Sequence, residues 1–123
     1  MQPHFTGTAL ITDDVPALAA FYATVLGAQV EGEAPFARVA VSGAVLSFFS
    51  TEAMESMVSG STASAAGGRF TLEFRITDVD DRHARLAARG VEILKAPTTQ
   101  PWGRRSVWLR DPDGNIVNLY QEV

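Results

Sequence analysis

Two stretches of this chain superimpose on one another in order. Asp14-Val15 and Asp78-Val79 both read as helix starts, an offset of 78 − 14 = 64 residues, which lays Leu10 over Phe74 and Gly7 over Thr71. The closing strands match too: Gly43-Ala-Val-Leu-Ser-Phe-Phe49 lies over Gly114-Asn-Ile-Val-Asn-Leu-Tyr120. A repeat of roughly 60 residues is one supersecondary unit, and neither copy alone can bury its apolar sheet and helix faces, so the copies are expected to pair around a shared sheet.

Local signals say what is repeated. Phe5 to Thr12 is a short apolar run. Asp14 then serves as N-cap with Pro16 in the first turn, Leu18, Phe21, Tyr22, Val25 and Leu26 form an apolar stripe, and Gly27 is the stop. Three strand-like runs follow, Ala28 to Glu31, Phe36 to Val41 and Ala44 to Phe49, with Ser42-Gly43 turning between the last two. Thr51 to Met57 suits a short helix, and the small-residue tract Val58 to Gly68 reads as a flexible connector or lid. The plan then recurs: a strand over Arg69 to Thr77, a helix capped by Asp78 with Val79, Leu86 and Ala87, a stop at Gly90, a strand over Val91 to Leu94 and a proline-bounded loop. A hairpin closes the chain, Ser106 to Arg110 and Asn115 to Tyr120 about the turn Asp111-Pro112-Asp113-Gly114, where proline presets φ and glycine accepts a positive one. The expected fold class is α+β: two tandem βαβββ modules forming a curved mixed sheet around a cleft, helices on the outer face. Module one is 1–50, the connector 51–68 and module two 69–123.

Composition sets the outer bounds. A chain of 123 residues, 46% hydrophobic and 20% charged, suffices for one globular domain and is short for two. It has no cysteine, so disulfide, thiolate-zinc and cysteine-nucleophile chemistry are excluded. A net charge of −4 argues against a nucleic-acid partner. No basic leader and no membrane-length apolar run is present, so a cytoplasmic location away from membrane is the default.

The stretch Pro101 to Gln121, with Trp102-Gly103 on a bend ahead of the hairpin, resembles the C-terminal signature of the vicinal oxygen chelate superfamily. That superfamily contains glyoxalases, extradiol dioxygenases, fosfomycin-modifying enzymes and bleomycin-resistance proteins. With the repeat, the resemblance covers nearly all of residues 1–123 as a single domain of this kind. In metal-dependent members a His or Glu on the first strand of each module and a Glu on its last strand bind one divalent ion. The matching positions are Gly7, Ser47, Thr71 and Asn118, a set without carboxylate or imidazole. The resemblance therefore implies the scaffold without its metal, cofactor or catalytic residues, and is similar to the metal-free bleomycin-resistance branch. His4 falls on the wrong strand parity to substitute, and His83 lies on the solvated side of its helix. Asp111-x-Asp113-x-Asn115 imitates part of a calcium loop, but Ile116 stands where glycine is required.

Strand alternation assigns the faces. Phe70, Leu72, Phe74 and Ile76 belong under the helix, leaving Thr71, Glu73 and Arg75 toward the cleft. From the other strands the cleft receives Phe5, Gly7, Ala9, Ile11, Phe36, Arg38, Val45, Ser47, Phe49, Ser106, Trp108, Arg110, Ile116, Asn118 and Tyr120. Trp102 is placed on its rim in preference to the core. Glu73 and Arg75 suit either a cleft acid and cation or a cross-strand ion pair. The ligand-binding candidates are thus six rings (Phe5, Phe36, Phe49, Trp102, Trp108, Tyr120) and five polar side chains (Arg38, Ser47, Thr71, Glu73, Asn118). Rings stack on planar ligands and scattered polar groups orient them. The expected function is non-catalytic binding or sequestration of a small, planar aromatic molecule by a homodimer. The alternative is a lyase, isomerase or dioxygenase, metal-dependent or using Glu73 as base.

Overall fold

Asp14 and Asp78 start their helices in the same way: Asp14 Oδ1 accepts from Ala17 N–H and Asp78 Oδ1 from Asp81 N–H, both at 3.0 Å. Each carboxylate satisfies one of the amides that a helix start leaves without an internal partner. The structure, a computed structural model, describes residues 2–3, 5–63 and 69–123; the expectations placed on His4 and on residues 64–68 of the connector lie outside them. The chain divides into two compact units, Met1–Ala65 and Ala66–Val123.

The first unit runs β1 (Gly7–Thr12), α1 (Val15–Leu26), β2 (Val30–Glu33), β3 (Phe36–Val39), β4 (Val45–Ser50) and α2 (Thr51–Met57). Its sheet has the order β1-β4-β3-β2, with β1 and β4 parallel and the other pairs antiparallel. Gly27 ends α1 in the left-handed conformation at φ 64°, where a side chain would be strained. Tyr22 of α1 stacks on Phe48 of β4 at 5.5 Å between ring centres, both fully buried, and Leu10, Leu18, Val25, Ala37, Val39 and Leu46 complete the layer between helix and sheet.

The second unit runs β5 (Thr71–Arg75), α3 (Val79–Ala88), β6 (Glu92–Thr99), β7 (Arg104–Arg110) and β8 (Ile116–Glu122), in the order β5-β8-β7-β6 with β5 and β8 parallel. Val79 and Leu86 of α3 are buried, as are Val107, Leu109, Val117 and Leu119 of the sheet. Gln121 Oε1 accepts from Val79 N–H at 2.7 Å, and the Arg105 guanidinium forks onto the Asp80 carboxylate at 2.8 and 2.9 Å. In the hairpin turn the buried Asp111 Oδ1 accepts from the N–H groups of Asp113 and Asn115, while its Oδ2 accepts from Asn115 Nδ2. The resemblance to a calcium loop therefore dissolves: that carboxylate is part of the turn.

The repeat holds residue for residue. Gly7 pairs with Val45 as Thr71 pairs with Ile116, and Ala9 pairs with Ser47 as Glu73 pairs with Asn118. The fold is α+β, its two four-stranded mixed sheets matching the two tandem βαβββ modules expected. Three details depart from expectation. The strand expected at Ala28 to Glu31 begins at Val30. The strand expected to stop at Leu94 continues through Pro97 to Thr99, shifting register between Ile93 and Lys95 and again between Lys95 and Thr98. Proline has no N–H to give a ladder, so it sits where an edge strand bulges. Phe70, expected under the helix, precedes β5 and is 49% exposed. Among the described residues no helix is long and apolar enough to cross a membrane.

The tract read as a flexible connector is tied down as far as residue 63. Glu55 of α2 accepts from Gly60 N–H (2.7 Å), Thr62 N–H (2.8 Å) and the Thr62 hydroxyl. The Thr62 hydroxyl and then the two amides hold the Glu55 carboxyl below its ordinary value. A depressed carboxyl value means that the tie is complete above the ordinary glutamate range and is lost as pH falls through the lowered value. Hydrogen exchange should therefore find the Gly60 and Thr62 amides protected at neutral pH and unprotected in acid, with Glu55→Ala, which removes the acceptor, unprotected at both. Equal protection in variant and wild type would contradict the tie.

Candidate functional site

Because the apolar members of each strand are committed to the helix side, the alternate members make a second face on each sheet. On the second unit that face is laid out in ranks across the strands. Glu73, Asn118 and Trp108 form one rank, Arg75, Tyr120 and Ser106 the next, and Thr71, Ile116 and Arg110 a third. Asn118 Nδ2 donates to Glu73 Oε2 at 3.4 Å. Asn118 and Ser106 are buried, whereas Trp108 and Tyr120 are half-buried and Thr71, Glu73 and Arg75 are exposed. The Arg104 guanidinium lies over the Tyr120 ring, 3.9 Å from its centre, and reaches Glu122 at 3.7 Å. Arg110 donates to Gly114 O at 2.7 Å and pairs with Glu92. Among the described residues neither Glu73 nor Arg75 forms an ion pair, so the cross-strand pairing of these two is not what the structure holds.

The first unit's second face carries Gly7, Ala9 and Ile11 of β1, Val45, Ser47 and Phe49 of β4, and Phe36 and Arg38 of β3. The Phe36 and Phe49 rings meet edge-on at 6.3 Å, and Arg38 Nε donates to Glu31 Oε1 at 2.9 Å. Ser47 is buried, its hydroxyl making a long contact of 3.5 Å with Thr8 O.

Nine of the eleven candidates therefore lie on the faces assigned to them. Thr71, Glu73, Trp108, Asn118 and Tyr120 share one face of the second unit, and Phe36, Arg38, Ser47 and Phe49 share one face of the first. Phe5 and Trp102 stand outside the strands, at 73% and 70% exposure. Trp102 occupies the turn between β6 and β7, so its alternative role as core filler does not hold. Arg104 was missed because the sequence placed the start of this strand at Ser106; its parity with Ser106 and Trp108 was the signal that puts it on this face.

The positions that match metal ligands in the resembled superfamily do not fit a divalent ion. A Cβ on Gly7 would sit 2.3 Å from Val45 O and 2.9 Å from Val45 Cβ, so this site cannot carry any side chain unless the strands move. Ser47 and Thr71 offer neutral hydroxyls and Asn118 an amide, where such ions take carboxylate, imidazole or several converging oxygens. Among the described residues no three His, Cys, Asp or Glu side chains converge. His83 lies on α3 beside Asp80.

Comparison with known proteins agrees with the fold. The family model of the Glyoxalase/Bleomycin resistance protein/Dioxygenase superfamily matches residues 2–119. An uncharacterized Bacillus subtilis (strain 168) protein, YraH, is 28% identical over 119 residues, 91% of this chain and 93% of its own. A glyoxalase/bleomycin resistance protein/dioxygenase family enzyme from Burkholderia phytofirmans PsJN superposes with a TM-score of 0.86 at 24% identity, over 96% of this chain and 98% of that one. A glyoxalase-related enzyme from Fulvimarina pelagi gives 0.82 at 22% identity, over 98% and 89%. At these identities the two structures show a shared fold.

The Gly7 contact is directly testable. Gly7→Ala should lower the free energy of unfolding by about 1–3 kcal/mol, the usual range for overpacking, as measured by urea denaturation. Unchanged stability would mean that the β1 and β4 backbones part readily enough to admit a ligand side chain.

Proposed function

This chain belongs to the Glyoxalase/Bleomycin resistance protein/Dioxygenase superfamily, and on that scaffold we propose that it binds or sequesters a small, planar aromatic molecule without converting it. The observation that carries this reading is the replacement of all four metal-ligand positions by Gly7, Ser47, Thr71 and Asn118, with Gly7 sterically closed by Val45. The family's chemistry depends on a metal that this donor set does not fit, so no catalytic step is assigned through one.

The side chains that remain suit recognition. The first unit's face offers the Phe36 and Phe49 rings with Ser47 and Arg38, and the second unit's face the Trp108 and Tyr120 rings with Asn118 and Glu73, each a broad ring surface at low entropic cost with a few directional polar groups. Sequestration of an aromatic antibiotic, as in the resistance branch of the family, is the form of this reading that needs no turnover. Trp102 adds an exposed ring on the turn ahead of β7 and is assigned as a ligand contact.

A panel of planar aromatic compounds screened by tryptophan fluorescence tests this. A compound that binds should quench or shift the emission, and Trp102→Ala should weaken it by about 1–3 kcal/mol, the scale for losing an aromatic anchor. The melting temperature should hardly move, since Trp102 contributes little to the core. A large fall in melting temperature, or unchanged affinity in the variant, would remove Trp102 from the site. Turnover of a bound compound would overturn the non-catalytic reading.

A further inference from the structure

Asn118 carries an unfinished hydrogen-bond set. The residue is 4% exposed, and its Oδ1 is buried without a donor among the described residues. The orientation of the amide follows from its neighbour. Glu73 Oε2 accepts from Nδ2 at 3.4 Å, and an ionised carboxylate only accepts. Turning the amide over would set two acceptors against each other and leave the NH2 without its partner. The carbonyl oxygen is therefore the end left over, at the middle of the rank that runs from Glu73 through Asn118 to Trp108.

Buried acceptors are nearly always satisfied, by protein, water or ligand. On this rank the Glu73 carboxylate and the Asn118 carbonyl both accept hydrogen bonds, and Glu73 has no ion pair among the described residues. Arg75 and Arg110 belong to the ranks on either side, and Arg110 is already engaged by Gly114 O and Glu92. Two neighbouring acceptors, one of them charged, select a group that brings several N–H donors and a positive charge. The half-buried Trp108 ring beside them suits a planar body attached to that group.

Resting on the reading of this face as the ligand site, we propose that the second unit's face recognises a cationic nitrogen head group of amidinium type. Its N–H groups donate to Asn118 Oδ1 and to the Glu73 carboxylate, and its aromatic part lies against Trp108. Reaching Oδ1 requires side chains of this face to shift, of which Glu73 is exposed and Trp108 and Tyr120 are half-buried.

The test is an NMR titration of the full chain with benzamidine, benzamide and benzoate, following the Asn118 side-chain NH2 and the indole N–H signals of Trp102 and Trp108. Benzamidine should shift the Asn118 and Trp108 signals and bind at least tenfold tighter than benzoate, on the scale expected for charge-assisted bonds to a carboxylate. Asn118→Leu and Glu73→Gln should each weaken benzamidine tenfold or more. Because Glu73 is exposed, its variant keeps the test decisive if Asn118→Leu fails to fold. If benzoate or benzamide shifts the indole signals and benzamidine binds no tighter, the head-group assignment is wrong while the aromatic site stands. If none of the three shifts either indole, both are overturned. A crystal soaked in benzamidine that shows only a water on Oδ1 would overturn the head-group assignment alone.

Discussion

Both open faces depend on one constraint, the register of the strands that each helix packs against. In the first unit α1 packs against β4, whose Leu46 and Phe48 are buried, and in the second α3 packs against β8, whose Val117 and Leu119 are buried; each of these strands runs parallel to the first strand of its unit. Because side chains alternate with a period of two, a one-residue slip of β4 would expel Leu46 and Phe48 from the buried layer, break the Phe48–Tyr22 stack and drive Ser47 inward. A slip of β8 would do the same to Val117 and Leu119, exchanging them for Asn118. The apolar layer thus fixes which face each polar group of these strands occupies.

The same alternation explains how the scaffold persists while its metal-binding positions change. Core and face residues occupy opposite parities, so the face can lose carboxylates and imidazoles without opening a hole in the core. Gly7 goes further, since Val45 O takes the space in which a side chain would begin. On the second unit the rank that matches Ala9 and Ser47 of the first carries a carboxylate at Glu73, a buried amide at Asn118 and an indole at Trp108. These are the groups proposed for recognition, and their spacing comes from the sheet.

How much of this was legible in the sequence depended on how local each cause was. The caps at Asp14 and Asp78, the stop at Gly27 and the Asp111 turn are each set by a few neighbouring residues, and all were readable. The face assignments followed from alternation alone and held for nine of the eleven candidate residues. The strand containing Pro97 was not readable, because a bulge on an edge strand is decided by its partner β7. The tie from Glu55 to Gly60 and Thr62, the seat of Arg104 over Tyr120 and the orphan oxygen of Asn118 all depend on side-chain direction, which composition and spacing do not carry. Trp102 was legible as a bend residue, and its exposure needed the turn between β6 and β7 to be seen.

The central claim, a family scaffold that binds without a divalent ion, is tested most directly by elemental analysis of protein purified without chelator, paired with melting curves before and after chelation. Binding faces built on Gly7, Ser47, Thr71 and Asn118 predict no stoichiometric zinc, nickel, iron or manganese and a melting temperature that chelation leaves unchanged. One tightly held equivalent of any of these metals, with a melting temperature that falls on its removal, would contradict it.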